Sequence, residues 1–125
     1  MKKLLLGLVI TLMTFGSAQA FYKTEKFMSD FENATTKGEE EYLLSYLEGI
    51  VRGVVATNVL SAFENGKRLF CPPGKVPIDA RRVLLLLPDF MVEAQLGNTK
   101  WKGITGDDPL ALSVPQLLIY TYPCN

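Results

Sequence analysis

Between residues 39 and 65 the apolar positions follow a helical period. Leu43, Leu44, Leu47, Ile50, Val51, Val54, Val55 and Ala62 fall on one broad aliphatic side, with Asn58 and Ser61 among them. A second flank carries Gly49, Gly53 and Ala56, surrounded by Tyr42, Tyr46 and Leu60. The polar strip is narrow. It runs through Glu41, Ser45, Glu48 and Arg52 before Val59 and Phe63 continue at a similar azimuth. This pattern predicts a long central helix with partners on two sides.

The other segments are shorter. Phe27, Met28 and Phe31 are spaced for a short amphipathic helix within 21–34, and a Thr-Thr-Lys-Gly connector leads to Glu39, Glu40 and Glu41 in the first turn of the central helix. Gly66 closes that helix. Cys-Pro-Pro-Gly at 71–74 makes 69–76 a loop. Pro77 and Asp79 then suit a helix start, and 78–87 reads as a buried helix with a strand as the alternative. Pro88 is expected to break it, leaving a short turn over 90–96 that Gly97 closes.

Three glycines, mixed charge and the single tryptophan, Trp101, mark 97–108 as an exposed loop. Asp108-Pro109 opens a last helix through Leu110, Leu112, Leu117, Leu118, Ile119 and Tyr120, which Pro115 is expected to kink or restart. Residues 120–122 also suit a strand. The expectation is an all-helical, single-domain bundle of about four helices around the long central one.

The first twenty residues stand outside this fold. Lys2 and Lys3, the apolar run 4–15 and Ala18-Gln19-Ala20 form a tripartite export signal, with cleavage expected after Ala20 and a periplasmic domain over 21–125. Cleavage would remove two of the 13 basic residues and none of the 13 acidic ones, so the remainder is mildly acidic. Neither nucleic acid nor an anionic membrane surface is the expected partner. In an oxidising compartment Cys71 and Cys124 are expected to pair, closing a long loop worth about 4 kcal/mol in the chain-entropy account.

Candidate chemistry is sparse. The chain has no histidine, which excludes Cys-His and Ser-His sites and removes the commonest metal ligand. Glu39, Glu40 and Glu41 fan around a helix instead of converging, and nothing brings Glu93, Asp107 and Asp108 together as catalytic carboxylates. The expectation is a protein without enzymatic activity, cofactor or metal. Gly49 and Gly53 each cost about 1 kcal/mol relative to alanine in a helix, which points to close packing, either within the domain or through self-association as a homodimer. Val59 and Phe63 are expected under the Cys71 loop, or as partner contacts if exposed. Trp101, rimmed by Lys100, Lys102 and Asp107, has the character of an aromatic anchor for a partner's pocket, unless it folds back on the bundle.

In order along the chain, Tyr46-Leu47-Glu48-Gly49-Ile50-Val51, Phe70-Cys71-Pro72-Pro73-Gly74-Lys75-Val76, an apolar helix closed by Pro88, and Leu117-Leu118-Ile119-Tyr120 before Tyr122-Pro123-Cys124 resemble the Rap/Tai family of type VI secretion amidase immunity proteins. The resemblance covers about residues 40–124. It implies a small exported helical protein that binds a peptidoglycan amidase effector, occludes its active site and so protects the producing cell. A small periplasmic chaperone is the alternative. Two departures stand out: the second cysteine pair of many relatives is absent, with Phe27, Phe31, Tyr42 and Leu43 in its place as an aromatic contact, and 95–108 is longer than the family pattern.

Overall fold

The computed structural model describes residues 22–99 and 103–125. The export signal expected over 1–20 lies outside the described residues. Four helices follow in order: α1 (Thr24–Glu32), α2 (Lys37–Asn65), α3 (Ala80–Gln95) and α4 (Leu110–Thr121). The all-helical bundle around a long α2 is the expected architecture, and α2 packs against each of the other three helices.

Local chemistry sets the boundaries. Thr36 caps α2 by accepting a hydrogen bond from the Glu39 amide at 3.2 Å, while the Glu39 carboxylate accepts from the Thr35 amide at 3.1 Å. Gly66, at φ 69°, ends α2 in the left-handed conformation that favours glycine, and its amide donates to the Ala62 carbonyl. Asp79 caps α3 through the Arg82 amide at 2.8 Å. No side chain caps α1. Its first amides instead donate to loop carbonyls, Thr24 to Asp108 at 2.9 Å and Glu25 to Gly106 at 3.0 Å.

The core is one cluster. Phe27 from α1, Leu43, Leu47 and Val51 from α2, Val83, Leu87 and Phe90 from α3, and Leu110, Val114, Leu117 and Leu118 from α4 are all buried, with Phe70 closing one end. Tyr22, Phe27 and Tyr46 form an aromatic group, with Tyr22 centred 5.4 Å from Phe27 and 5.3 Å from Tyr46. The contact between α1 and α2 is therefore aromatic as expected, but its members differ: Tyr42 is exposed and takes no part.

Four expectations are corrected. Pro88 does not break the third helix, which runs through it, because Val83, Leu87, Phe90, Met91 and Ala94 form one buried stripe spanning the proline. Pro88 sits on the exposed side, so its ring meets solvent and its cost is one ladder bond that the packing offsets. Pro115 likewise lies inside α4, which does not restart there, and of the two readings open for 120–122 the helical one holds through Thr121. The third correction concerns the second flank of α2, where Tyr46 packs against Tyr22 and Phe27 but the small residues are left bare. Gly49 and Gly53 are exposed and an added Cβ would meet nothing within 4 Å, so they pack against no other element of the described fold. Finally, the Cys71 loop covers neither Val59 nor Phe63, the latter being 84% exposed.

The loop is tied down elsewhere. Cys71 and Cys124 form the expected disulfide, with Cα atoms 5.0 Å apart, and the Cys71 amide donates to the Tyr122 carbonyl at 2.8 Å. Arg82 Nε adds a bond to the Tyr122 hydroxyl at 3.1 Å. The C-terminus is thus fixed to the segment after α2 and to the first turn of α3.

Candidate functional site

Three surfaces are candidates for function. The first is the segment between α3 and α4. It leaves α3 through Gly97 at φ 76°, where the Asn98 amide donates to the Glu93 carbonyl and the Asn98 side chain to the Glu93 carboxylate at 2.8 Å. Thr99 and Ile104 are buried on either side of residues 100–103. Beyond them, Asp108 accepts from the Thr105 amide at 2.7 Å, and the Asp108 carbonyl accepts from both the amide and the hydroxyl of Thr24. That hydroxyl also lies 2.7 Å from Ser113 Oγ in a buried pair. Gly106 lies so close to Glu25 that a Cβ would come within 2.7 Å of the Glu25 Cβ. The segment is held by backbone bonds at both ends.

Of the expected contact residues, Asp107 is on this frame, 75% exposed at its side chain and 3.4 Å from Lys23 Nζ. Lys100, Trp101 and Lys102 lie outside the described residues. Glu93 accepts from the Asn98 side chain and Asp108 from the Thr105 amide, so both carboxylates are taken up in local bonds. Among the described residues no group of three histidine, cysteine, aspartate or glutamate side chains is placed to hold a metal ion.

The second surface is an open cleft of about 500 Å³ where α1, the start of α2 and the middle of α3 meet. Met28, Phe31, Leu44, Leu84, Leu87 and Pro88 give it an apolar floor, and Glu32, Glu40 and Arg81 stand at its edge. The sequence pattern does not point to this cleft, because its walls come from three helices and exist only once they pack. Beside it Tyr22 donates a hydrogen bond to Asp30, whose carboxylate also takes Lys26 Nζ at 3.1 Å. Burial raises the Tyr22 phenol above its usual range, and the bond and charge of Asp30 push the same way. The Asp30 carboxyl is held low, first by the Tyr22 bond and then by Lys26.

The third is the bare face of α2. Tyr42, Leu60 and Phe63 stand exposed along it, with Gly49, Gly53 and Ala56 between. Arg52 flanks it, bonded through Nε to Glu48 at 3.2 Å, while the other Glu48 oxygen accepts from the Ala80 amide at 2.7 Å. Glu48 therefore fixes α2 to the start of α3, and Arg52 is held to one side. A signal for this face is present in the sequence, in the spacing of its small and aromatic residues.

No protein-family model, no curated protein and no solved structure matches the chain at a significant level.

Proposed function

We propose that this protein is a periplasmic, stoichiometric protein inhibitor of the immunity type, which binds a peptidoglycan amidase effector of type VI secretion and occludes its active site. One observation carries the reading. The segment between α3 and α4 is fixed at its base on both sides, by the bonds of Asn98 to Glu93 and of Thr24 and Glu25 to Asp108 and Gly106. A recognition loop whose ends are already ordered loses little further freedom on binding, and that is what a tight inhibitor needs. Asp107 stands exposed on this frame. Trp101, with Lys100 and Lys102, is proposed as the anchor that the frame carries. The Cys71–Cys124 bridge supports an oxidising compartment. The inhibitor would act by occlusion, contributing no chemistry of its own.

A second reading, a small periplasmic chaperone, draws on the exposed apolar residues of α2. The two separate in one experiment. The tagged protein, captured from envelope extract under non-reducing conditions and analysed by mass spectrometry, is expected to bring down one amidase in fixed ratio. Recovery of many unrelated envelope proteins would favour the chaperone and overturn the inhibitor. With the partner in hand, Trp101→Ala is expected to weaken binding at least tenfold, and an unchanged affinity would remove this loop from the interface.

A further inference from the structure

The cleft between α1, α2 and α3 is polarised along its length. Glu32 is the last residue of α1 and Glu40 lies in the first turn of α2, so both carboxylates stand at the end where those helices join. Arg81 stands at the other end. It also lines the neighbouring hollow with Glu48, Asp79 and Ala80, and the Ala80 amide is bonded to Glu48, two turns up α2 from Glu40. At the α-helical rise the two ends lie about 12 Å apart. Between them the floor is apolar, from Met28, Phe31, Leu44 and Leu84. The charges at this rim are the ones the fold leaves over. Lys37 pairs with Glu41, Arg52 with Glu48, and the Glu39 carboxylate with the Thr35 amide. Among the described residues no ion pair or side-chain hydrogen bond uses Glu32, Glu40 or Arg81.

We infer that this cleft binds a free apolar oligopeptide of about four residues, with its terminal ammonium at Glu32 and Glu40 and its terminal carboxylate on Arg81. Length sets the count. At about 3.3 Å per residue an extended chain covers the 12 Å between the charged ends in about four residues. Width agrees with this. Over that length a volume of about 500 Å³ is a channel about 6–7 Å across, which admits one extended chain but not an α-helix 10–12 Å thick. An apolar floor with a few charged groups at fixed places is the common build of a small-ligand site. Here the guanidinium suits a carboxylate, which it can hold through two parallel bonds.

The open side of the cleft separates this occupant from an acyl chain. The helical backbones that wall the cleft have their own hydrogen bonds, so a peptide must turn its amides to water, and the open side allows that. An acyl chain would leave one flank wet for no gain. A lipid head group, moreover, would meet the charges at one end and leave those at the other unused. The inference stands apart from the inhibitor reading, since it uses no residue of the loop between α3 and α4.

The test is titration calorimetry of the oxidised, exported protein with Leu-Ala-Leu-Ala, its N-acetylated and C-amidated forms, and the matching dipeptide and hexapeptide. The free tetrapeptide is expected to bind in the micromolar range and more tightly than either the shorter or the longer peptide. Blocking either end should weaken it about fivefold, as the loss of one partly exposed ion pair. The variants assign the ends. Arg81→Gln should abolish the effect of amidation and keep that of acetylation, and Glu32→Gln with Glu40→Gln should do the converse. All three positions are exposed, so helicity should not change. No binding at about 1 mM peptide overturns the inference. Equal affinity for free and blocked peptides does so too, as does a penalty for blocking that the variants leave untouched. Tighter binding of lysophosphatidylethanolamine than of the tetrapeptide would make this a lipid site and would overturn it as well.

Discussion

The side-chain amide of Asn58 clamps the backbone of Phe70. Its nitrogen donates to the Phe70 carbonyl at 3.0 Å, and its oxygen accepts from the amides of Phe70 at 3.1 Å and Leu69 at 2.7 Å. Asn58 and Phe70 are both buried, so one polar side chain on the core stripe of α2 satisfies three backbone groups of the segment leading to Cys71.

Asn58→Ala should therefore destabilise the fold by about 2–4 kcal/mol, since it leaves buried backbone groups without partners. Asn58→Leu, although apolar and well suited to a core stripe, should be no better. Chemical denaturation of the two variants checks this, and a leucine variant as stable as wild type would show that the clamp contributes nothing.

Two glycines should respond to alanine in opposite directions. Gly53 lies in a helix interior with open space around its Cβ position, and Gly53→Ala should stabilise the monomer by about 0.5–1 kcal/mol through helix propensity. At Gly106 the new Cβ would meet Glu25 near its own Cβ, which is not the free end of the side chain. Gly106→Ala should cost about 1–3 kcal/mol by pushing the loop from the start of α1. Thermal unfolding of the two variants separates them.

The contrast between these glycines shows where the sequence is legible. Leu43, Leu47, Val51 and Asn58 define a buried stripe by period alone, and a helix end is written in Thr36, Gly66 and Asp79. The pairing of Cys71 with Cys124 is legible from number, since the chain has two cysteines. What the pattern does not carry is occupancy. An apolar flank predicts that something packs there, and around Gly49 and Gly53 of α2 the described chain supplies nothing within 4 Å of an added Cβ. Pro88 misleads for a related reason: proline reports a local cost, whereas the burial of Val83, Leu87 and Met91 on the far side of the helix outweighs it. The cleft between α1, α2 and α3 is beyond reach, because Phe31, Leu44 and Leu84 are neighbours only through tertiary packing. Half of the framing of the loop is hidden too, since the amides of Thr24 and Glu25 donate to the backbone carbonyls of Asp108 and Gly106, which carry no side-chain signature.

Reduction should loosen the C-terminus before it unfolds the bundle. The Cys71–Cys124 bridge spans a sequence separation of 53 residues, and its loss should lower stability by about 4 kcal/mol in the chain-entropy account. The Cys71 amide bond to Tyr122 and the Arg82 bond to its hydroxyl remain available to the reduced chain. Near-native helicity with a lower melting temperature is the expected result of dithiothreitol treatment. Amide exchange should show the largest loss of protection at Cys71 and Tyr122, and uniform loss across α2 and α3 would contradict this order.

The Tyr22–Asp30 bond should leave a mark at both ends of the pH range. The Asp30 carboxyl is lowered in the folded protein by the Tyr22 bond and by Lys26, so its contribution is present above the unfolded value of about 3.9 and is lost as the pH falls through the lower folded value. Tyr22 behaves in the opposite sense. Its phenol is raised by burial and by Asp30, so its contribution is fully present below the unfolded value of about 10 and is lost as the pH climbs above that toward the folded value. Tyr22→Phe keeps the ring against Phe27 and Tyr46 but removes the titrating group and the donor. Its alkaline limb should lose the Tyr22 contribution altogether, while its acid limb should be shallower but still present, because Lys26 continues to hold Asp30 low. Denaturant midpoints from about pH 2.5 to pH 11 for the two proteins measure this. An acid limb identical to wild type would mean that Lys26 alone sets Asp30, and an identical alkaline limb would place the high-pH loss at some group other than Tyr22.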